Sequence, residues 1–264
     1  MDVKTTAVVL RTIKYGDSSL IVDMLTEQMG RVSFLVRTPK TQKGKLKKQL
    51  FQPLTILSLV FDYRQRSSLQ RIRDIAIAVP YITIPAVAPK IATAIFLAEF
   101  LSYVTRDEQR NTPLVEYIVS SLRWLDDADS GYANFHLVFM MRLSRFIGFW
   151  PNLDDYCEGC LFDLREARFT TVAPLHNDVL KAAEARQVCT LMRMSYSNMH
   201  VFRMNRSQRN RITDIILLFY RLHVADMPEM KSLAVLKELF DCESEKSGST
   251  PPHSSLLTAI RLTP

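Results

Sequence analysis

Glycine is scarce in this chain, with seven among 264 residues. The phosphate-cradling turns of nucleotide-binding enzymes need closely spaced glycines, and no such loop can be placed here. The H-E-x-x-H helix of zinc peptidases and the nucleophile elbow of serine hydrolases are also missing. No apolar run approaches the ~18 residues of a membrane-spanning helix. The opening MDVKTTAVVL lacks the charged-then-apolar layout of a secretory signal, so a cytoplasmic location is the expectation. Four cysteines (Cys157, Cys160, Cys189 and Cys242) are too few for a disulfide scaffold in a chain this long, and reduced thiols are expected.

One more absence is local. The stretch RTPKTQKGKLKK, residues 37–48, contains no acid, yet it carries Arg37, Lys40, Lys43, Lys45, Lys47 and Lys48. It belongs to a wider asymmetry. Residues 1–79 hold 14 Lys or Arg against 6 Asp or Glu, whereas the remaining 185 residues hold 20 against 21. The net charge of +7 therefore belongs to the N-terminal third, which points to a polyanion as partner: nucleic acid or an anionic membrane. Solubility alone would also account for a charged loop.

Hydrophobic periodicity divides the chain in two. Five strand signals separated by turns lie in residues 1–79: TAVVLRTI ending at Ile13, SSLIVDMLT with Leu20, Val22 and Met24 on one face, GRVSFLV with Val32, Phe34 and Val36 on one face, LTILSLVFDY (54–63) and LQRIRDI (69–75). The basic stretch falls between the third and fourth. Five strands with an insertion after the third match an OB-fold barrel, a fold often used for single-stranded nucleic acid; an SH3-like barrel fits the count nearly as well. Pro80, Pro85 and Pro89 then break regular structure and mark a boundary.

Residues 80–240 read as a mainly α-helical domain, making the fold class α+β. Ile91, Ile95, Ala98 and Leu101 recur at helical spacing, and Leu114, Ile118, Leu122 and Leu125 follow a capped start with Pro113. NFHLVFMMRLSRFIGFW predicts a third helix ending at Gly148; HNDVLKAAEARQ, SQRNRITDIILLFYRLHV and MKSLAVLKELF predict three more. A less regular region lies near 152–172. The segment 241–264 mixes Ser, Pro and charge without periodicity and is expected to be a disordered tail.

Three constellations could carry chemistry. The first is the basic stretch, set among strands that also offer Tyr15, Phe34, Phe51, Phe61 and Tyr63. Cations for phosphates plus rings for bases is what sequence-tolerant strand binding requires. The second is YCEGC, where Cys157 and Cys160 have half of a zinc site's spacing; only His176 and Cys189 are available to complete it, and no metal is favoured. Nearby Asp154, Asp155 and Glu158 could in principle hold magnesium for phosphodiester cleavage, though acids on a loop are usually solvated. The third is Arg206, Arg209 and Arg211 at a helix start, where cations oppose the macrodipole. Either a second DNA contact, an acidic partner segment, or pairing with acids such as Asp214 would explain them.

These residues resemble a known family. Tyr15-Gly16-Asp17, Gly30-Arg31, the basic 37–48 run and Gln52-Pro53, in that order, are similar to the N-terminal domain of the RecO family of bacterial recombination mediators. RLSRFIGFWPNLDDYCEGC and RLHVADMPEMKSLAVLKEL resemble its later blocks. The resemblance implies an OB-fold followed by a helical domain with a degenerate zinc-ribbon-like region, and a non-enzymatic protein that binds single- and double-stranded DNA and anneals complementary strands. It also implies help in loading RecA onto DNA coated by single-strand-binding protein. RecR and the acidic C-terminal tail of single-strand-binding protein would be the partners, with the protein at the nucleoid. Arg31, Arg37, Lys40, Lys43, Lys45, Lys47 and Lys48 are the positions it implies for DNA. Many family members bind zinc through two C-x-x-C pairs; here FDLREARFTTVAPLHN stands where the second would be. The competing expectation is a protein-interaction scaffold whose basic barrel does not act on DNA.

Overall fold

In a computed structural model, residues 2–38 and 48–239 of the chain are described. Lys40, Lys43, Lys45 and Lys47 of the basic run, Cys242, and the expected tail over 241–264 lie outside the described residues.

Five strands form the N-terminal sheet: β1 Asp2–Tyr15, β2 Ser19–Thr26, β3 Gly30–Arg37, β4 Ile56–Asp62 and β5 Arg71–Val79. Their order is β3-β2-β1-β4-β5, antiparallel throughout. The two edges meet in a parallel bridge of Phe34 to Gln70, where Leu35 N donates to Gln70 O and Gln70 N to Ser33 O, each at 2.9 Å. That closure of the third strand on the fifth gives the five-stranded Greek-key barrel of an OB-fold. β5 begins at Arg71 and continues to Val79, beyond the stretch that its alternating pattern marked.

The period-2 rule explains the barrel interior. Ala7 and Val9 from β1, Leu20, Val22 and Met24 from β2, Val32, Phe34 and Val36 from β3, and Leu57, Leu59 and Phe61 from β4 fill it, with Phe34 edge-on to Phe61 at 5.1 Å. The continuous run AVVL is buried on both faces, because Val8 and Leu10 point the other way, into the helical core. Leu25, Leu54 and Ile56 do the same. One apolar face lines the barrel and the other docks the helices, so the two cores share the strands between them.

The helices are α1 Ala88–Val104, α2 Thr112–Asp127, α3 Phe135–Leu143, α4 Ala182–Arg193, α5 Arg206–His223 and α6 Leu233–Leu239. Asn111 caps α2 by accepting from Leu114 N, and Asn205 with Gln208 forms a reciprocal capping box on α5. α1 departs from its expected face. Ala98 and Leu101 are buried, but Ile91 and Ile95 are exposed, and Ala94, Phe96, Leu97 and Phe100 fill the core instead. The helix is apolar on nearly all sides, so spacing alone could not select the stripe that neighbours cover.

A second sheet, in order β7-β6-β8, occupies the less regular region: β6 Leu161–Asp163, β7 Arg168–Thr170 and β8 Val179–Leu180. It corrects the helix expected from His176. Val179 and Leu180 pair with Asp163 and Phe162, and α4 starts only at Ala182. A two-residue strand carries too little periodicity to be read. No helix among the described residues is long and apolar enough to cross a membrane.

A candidate nucleic-acid interface

The long β1–β2 hairpin overshoots the barrel. From Arg11 to Tyr15 every side chain is exposed on both faces, while the strand stays paired, Thr12 with Val22 through Tyr15 with Ser19. A register irregularity between Val9 and Arg11 marks where the ribbon leaves the barrel, the role that β-bulges commonly serve. Arg11 and Lys14 thus stand in solvent.

The basic run springs from the same end. Its entry is fixed by pairing of Arg37 with Ser19 and by Thr38 N donating to Ser18 O at 2.7 Å. Its exit is fixed by Phe51, whose N–H donates to Lys48 O at 3.1 Å and whose carbonyl accepts from Thr12 Oγ1 at 2.9 Å. Lys48 therefore emerges beside Arg11 and Lys14. These three cations and Lys231 line one groove of about 600 Å³ between the hairpin and α1. Among the described residues none of the four makes an ion pair. Among the described residues the one carboxylate lining the groove is Glu99, which accepts from Lys231 N at 3.0 Å, Ser232 N at 2.8 Å and the Ser232 hydroxyl. On the barrel's closing seam Arg37 and Arg71 share a smaller cleft.

Four other sequence-marked cations, Arg31, Arg206, Arg209 and Arg211, have internal partners. Arg31 ion-pairs with Asp23 at 3.2 Å and donates to Ser102 O at 3.3 Å, tying the barrel to α1. Burial lowers its pKa, Asp23 opposes this, and the charges of Arg106 and Arg11 add to the lowering. Arg206 donates to Lys237 O, Arg209 to Asn134 Oδ1 and Met204 O, and Arg211 pairs with Glu184 at 2.5 Å. Asp214, the acid expected to pair with them, instead pairs with Lys237. Of the aromatic candidates, Phe34, Phe51 and Phe61 fill the barrel and Tyr63 packs against its core, so Tyr15 is the ring left exposed on the hairpin. Arg11, Lys14 and Lys231 carry no signal in the sequence, since isolated cations look ordinary until the fold gathers them.

Cys157 and Cys160 share a tight turn through Cys160 N and Cys157 O at 3.3 Å, and His176 Nε2 faces Asp163 at 3.3 Å. Burial raises the Cys189 thiol, the charge of Arg193 opposes this, and neighbouring Cys160 adds to the rise. Among the described residues no three His, Cys, Asp or Glu side chains are gathered to hold a metal. Asp154, Asp155 and Glu158 are exposed and outside any such group.

Comparison with known proteins agrees with this architecture. The family model for "Recombination protein O N terminal" matches residues 1–81 and that for "Recombination protein O C terminal" matches residues 88–234. The chain is 49% identical over 237 residues to the DNA repair protein RecO of Phocaeicola vulgatus, covering 90% of this chain and 98% of that protein. It is 50% identical over 239 residues to that of Bacteroides fragilis, covering 90% and 99%, and 31% identical to that of Flavobacterium psychrophilum, covering 91% and 100%. A barrel whose insertion carries the charge, a helical domain docked on its strands, and identity at this level over about nine-tenths of the chain place it in the RecO family of DNA repair proteins.

Proposed function

We propose that the chain is a non-catalytic recombination mediator that binds single- and double-stranded DNA, anneals complementary strands, and assists the loading of RecA onto single strands coated by single-strand-binding protein. RecR and the acidic tail of single-strand-binding protein are its partners on this reading, and the nucleoid is its place of action. The observation that carries it is the gathering of Lys48, where the basic run re-enters the fold, with Arg11 and Lys14 in one groove. Unpaired cations gathered on one face neutralise phosphates, and two strands brought to the same face repel one another less. No cofactor enters the chemistry, because annealing forms only base pairs.

The test is the rate at which dye-labelled complementary oligonucleotides pair, with and without the protein, at two salt concentrations. Acceleration that fades at the higher salt is expected; no acceleration at low salt would overturn the annealing role. The scaffold reading has one observation of its own, an apolar groove of about 520 Å³ walled by Ile77, Pro85, Ile91 and Ile95. Absence of a mobility shift of the same labelled oligonucleotides with protein at low salt would favour it.

A further inference from the structure

We propose that the groove between the β1–β2 hairpin and α1 is a track for one nucleic-acid strand, single rather than duplex, that carries it off the barrel and onto the helical domain. The inference rests on the DNA-binding reading above and extends it to a second domain and to a substrate class.

Four observations converge. First, the cations come from three separate places in the chain: Arg11 and Lys14 from the hairpin, Lys48 from the end of the basic run, and Lys231 from the segment before α6. Neither the barrel nor the helical domain builds this row alone. Second, Arg31 at the barrel's junction with α1 is held by internal partners, while these four cations have no ion pair among the described residues. Side chains left free on a shared groove are available to phosphates.

Third, Lys231 is held in position. The Glu99 carboxylate accepts from the backbone N–H groups of Lys231 and Ser232 and from the Ser232 hydroxyl, fixing the chain that bears the ammonium against α1. The acid is thereby turned toward these N–H groups and serves as a positioning residue. Fourth, the groove has both a polar and an apolar wall. Leu20, Ile95, Ala98 and Tyr103 line it beside the cations, and Arg106 lies over the Tyr103 ring at 5.8 Å. Tracks for single strands combine a cationic line for the backbone with rings and apolar surface for unpaired bases. A duplex hides its bases in the stack and would present only phosphates to such walls.

The experiment compares wild type, an Arg11→Ala/Lys231→Ala double variant, and a Lys181→Ala control whose exposed side chain lies away from the groove. Binding to a dye-labelled oligothymidylate and to a blunt duplex of equal length is followed by fluorescence anisotropy across a sodium chloride series. Each phosphate of a single strand that the protein no longer neutralises lowers the slope of log K against log salt by about 0.7, so the double variant should fall by about 1.4 in slope on the single strand and much less on the duplex. The control should match wild type. An unchanged single-strand slope in the double variant, with wild type binding and a Lys40/Lys43/Lys45/Lys47→Ala variant weakened, would overturn the track and leave the barrel reading intact. Equal reductions on single strand and duplex would overturn the single-strand assignment. Failure of wild type to bind either DNA at low salt would overturn both readings together.

Discussion

Gly30 lies directly against the Glu108–Gln109 backbone, so that the turn before β3 and the loop after α1 touch main chain to main chain. The next N–H, that of Arg31, donates to Glu108 O at 2.9 Å. Gly30 has φ +66°, and a Cβ placed there would collide with the Glu108 carbonyl and stand 2.5 Å from the Gln109 carbonyl carbon. Here glycine is required twice, for the left-handed backbone and for the close approach.

Replacing Gly30 with alanine should therefore loosen the barrel from the helices as well as strain the turn. We expect a reduction in stability of at least about 2 kcal/mol, read as a lower urea midpoint. A midpoint equal to wild type would show that the interface can shift to accept a methyl group.

Asp126 closes the linker between the domains. Its carboxylate accepts from the N–H groups of Ile82, Thr83 and Ile84 at 2.7–2.8 Å, and buried Lys90 donates to Thr83 Oγ1 at 2.6 Å and to Asp126 O at 3.0 Å. Asp126→Ala leaves three backbone donors without their acceptor and removes the carboxylate charge near buried Lys90, and should cost about 3 kcal/mol in urea unfolding. Retained stability would mean that water replaces the carboxylate.

The same residue predicts a pH dependence. Burial raises the Asp126 pKa, but the N–H groups of Ile82, Ile84 and Thr83 and the Thr83 hydroxyl outweigh it, and the carboxyl is held below its ordinary value. A depressed folded-state pKa means that its stabilisation is complete above the unfolded value of about 3.9 and disappears as pH falls through the folded one. Between pH 5 and pH 3 wild type should thus be destabilised more than Asp126→Asn. Parallel pH profiles would remove Asp126 from the acid response.

Neutralising Lys43, Lys45, Lys47 and Lys48 together should slow annealing at least tenfold at low salt and flatten its salt dependence, since up to four phosphates then keep their counterions. Annealing kinetics of wild type and variant at two salt concentrations give the result. Equal rates would assign these lysines to solubility.

Metal analysis of protein purified without chelator should return far less than one zinc per chain, because His176 faces Asp163 and Cys189 is buried as a thiol. One full equivalent would show that the C-x-x-C turn finds other donors.

The sequence by itself determined the barrel and the break after it. Alternating apolar residues such as Val32, Phe34 and Val36 can satisfy only one face of a sheet, and three prolines in ten residues cannot continue a strand. It also located the dominant charge, because a run without acids is visible in one dimension. Tertiary structure decided which cations remain available. Arg31, Arg206, Arg209 and Arg211 looked equal to the lysines in sequence, but each meets an internal partner that lies up to 75 residues away. It decided, too, that Ile91 and Ile95 face out, since a helix apolar on nearly every side takes its orientation from its neighbours. The groove belongs wholly to the fold. Arg11, Lys48 and Lys231 are distant along the chain, and only the docking of α1 on β1 brings their charges onto one surface.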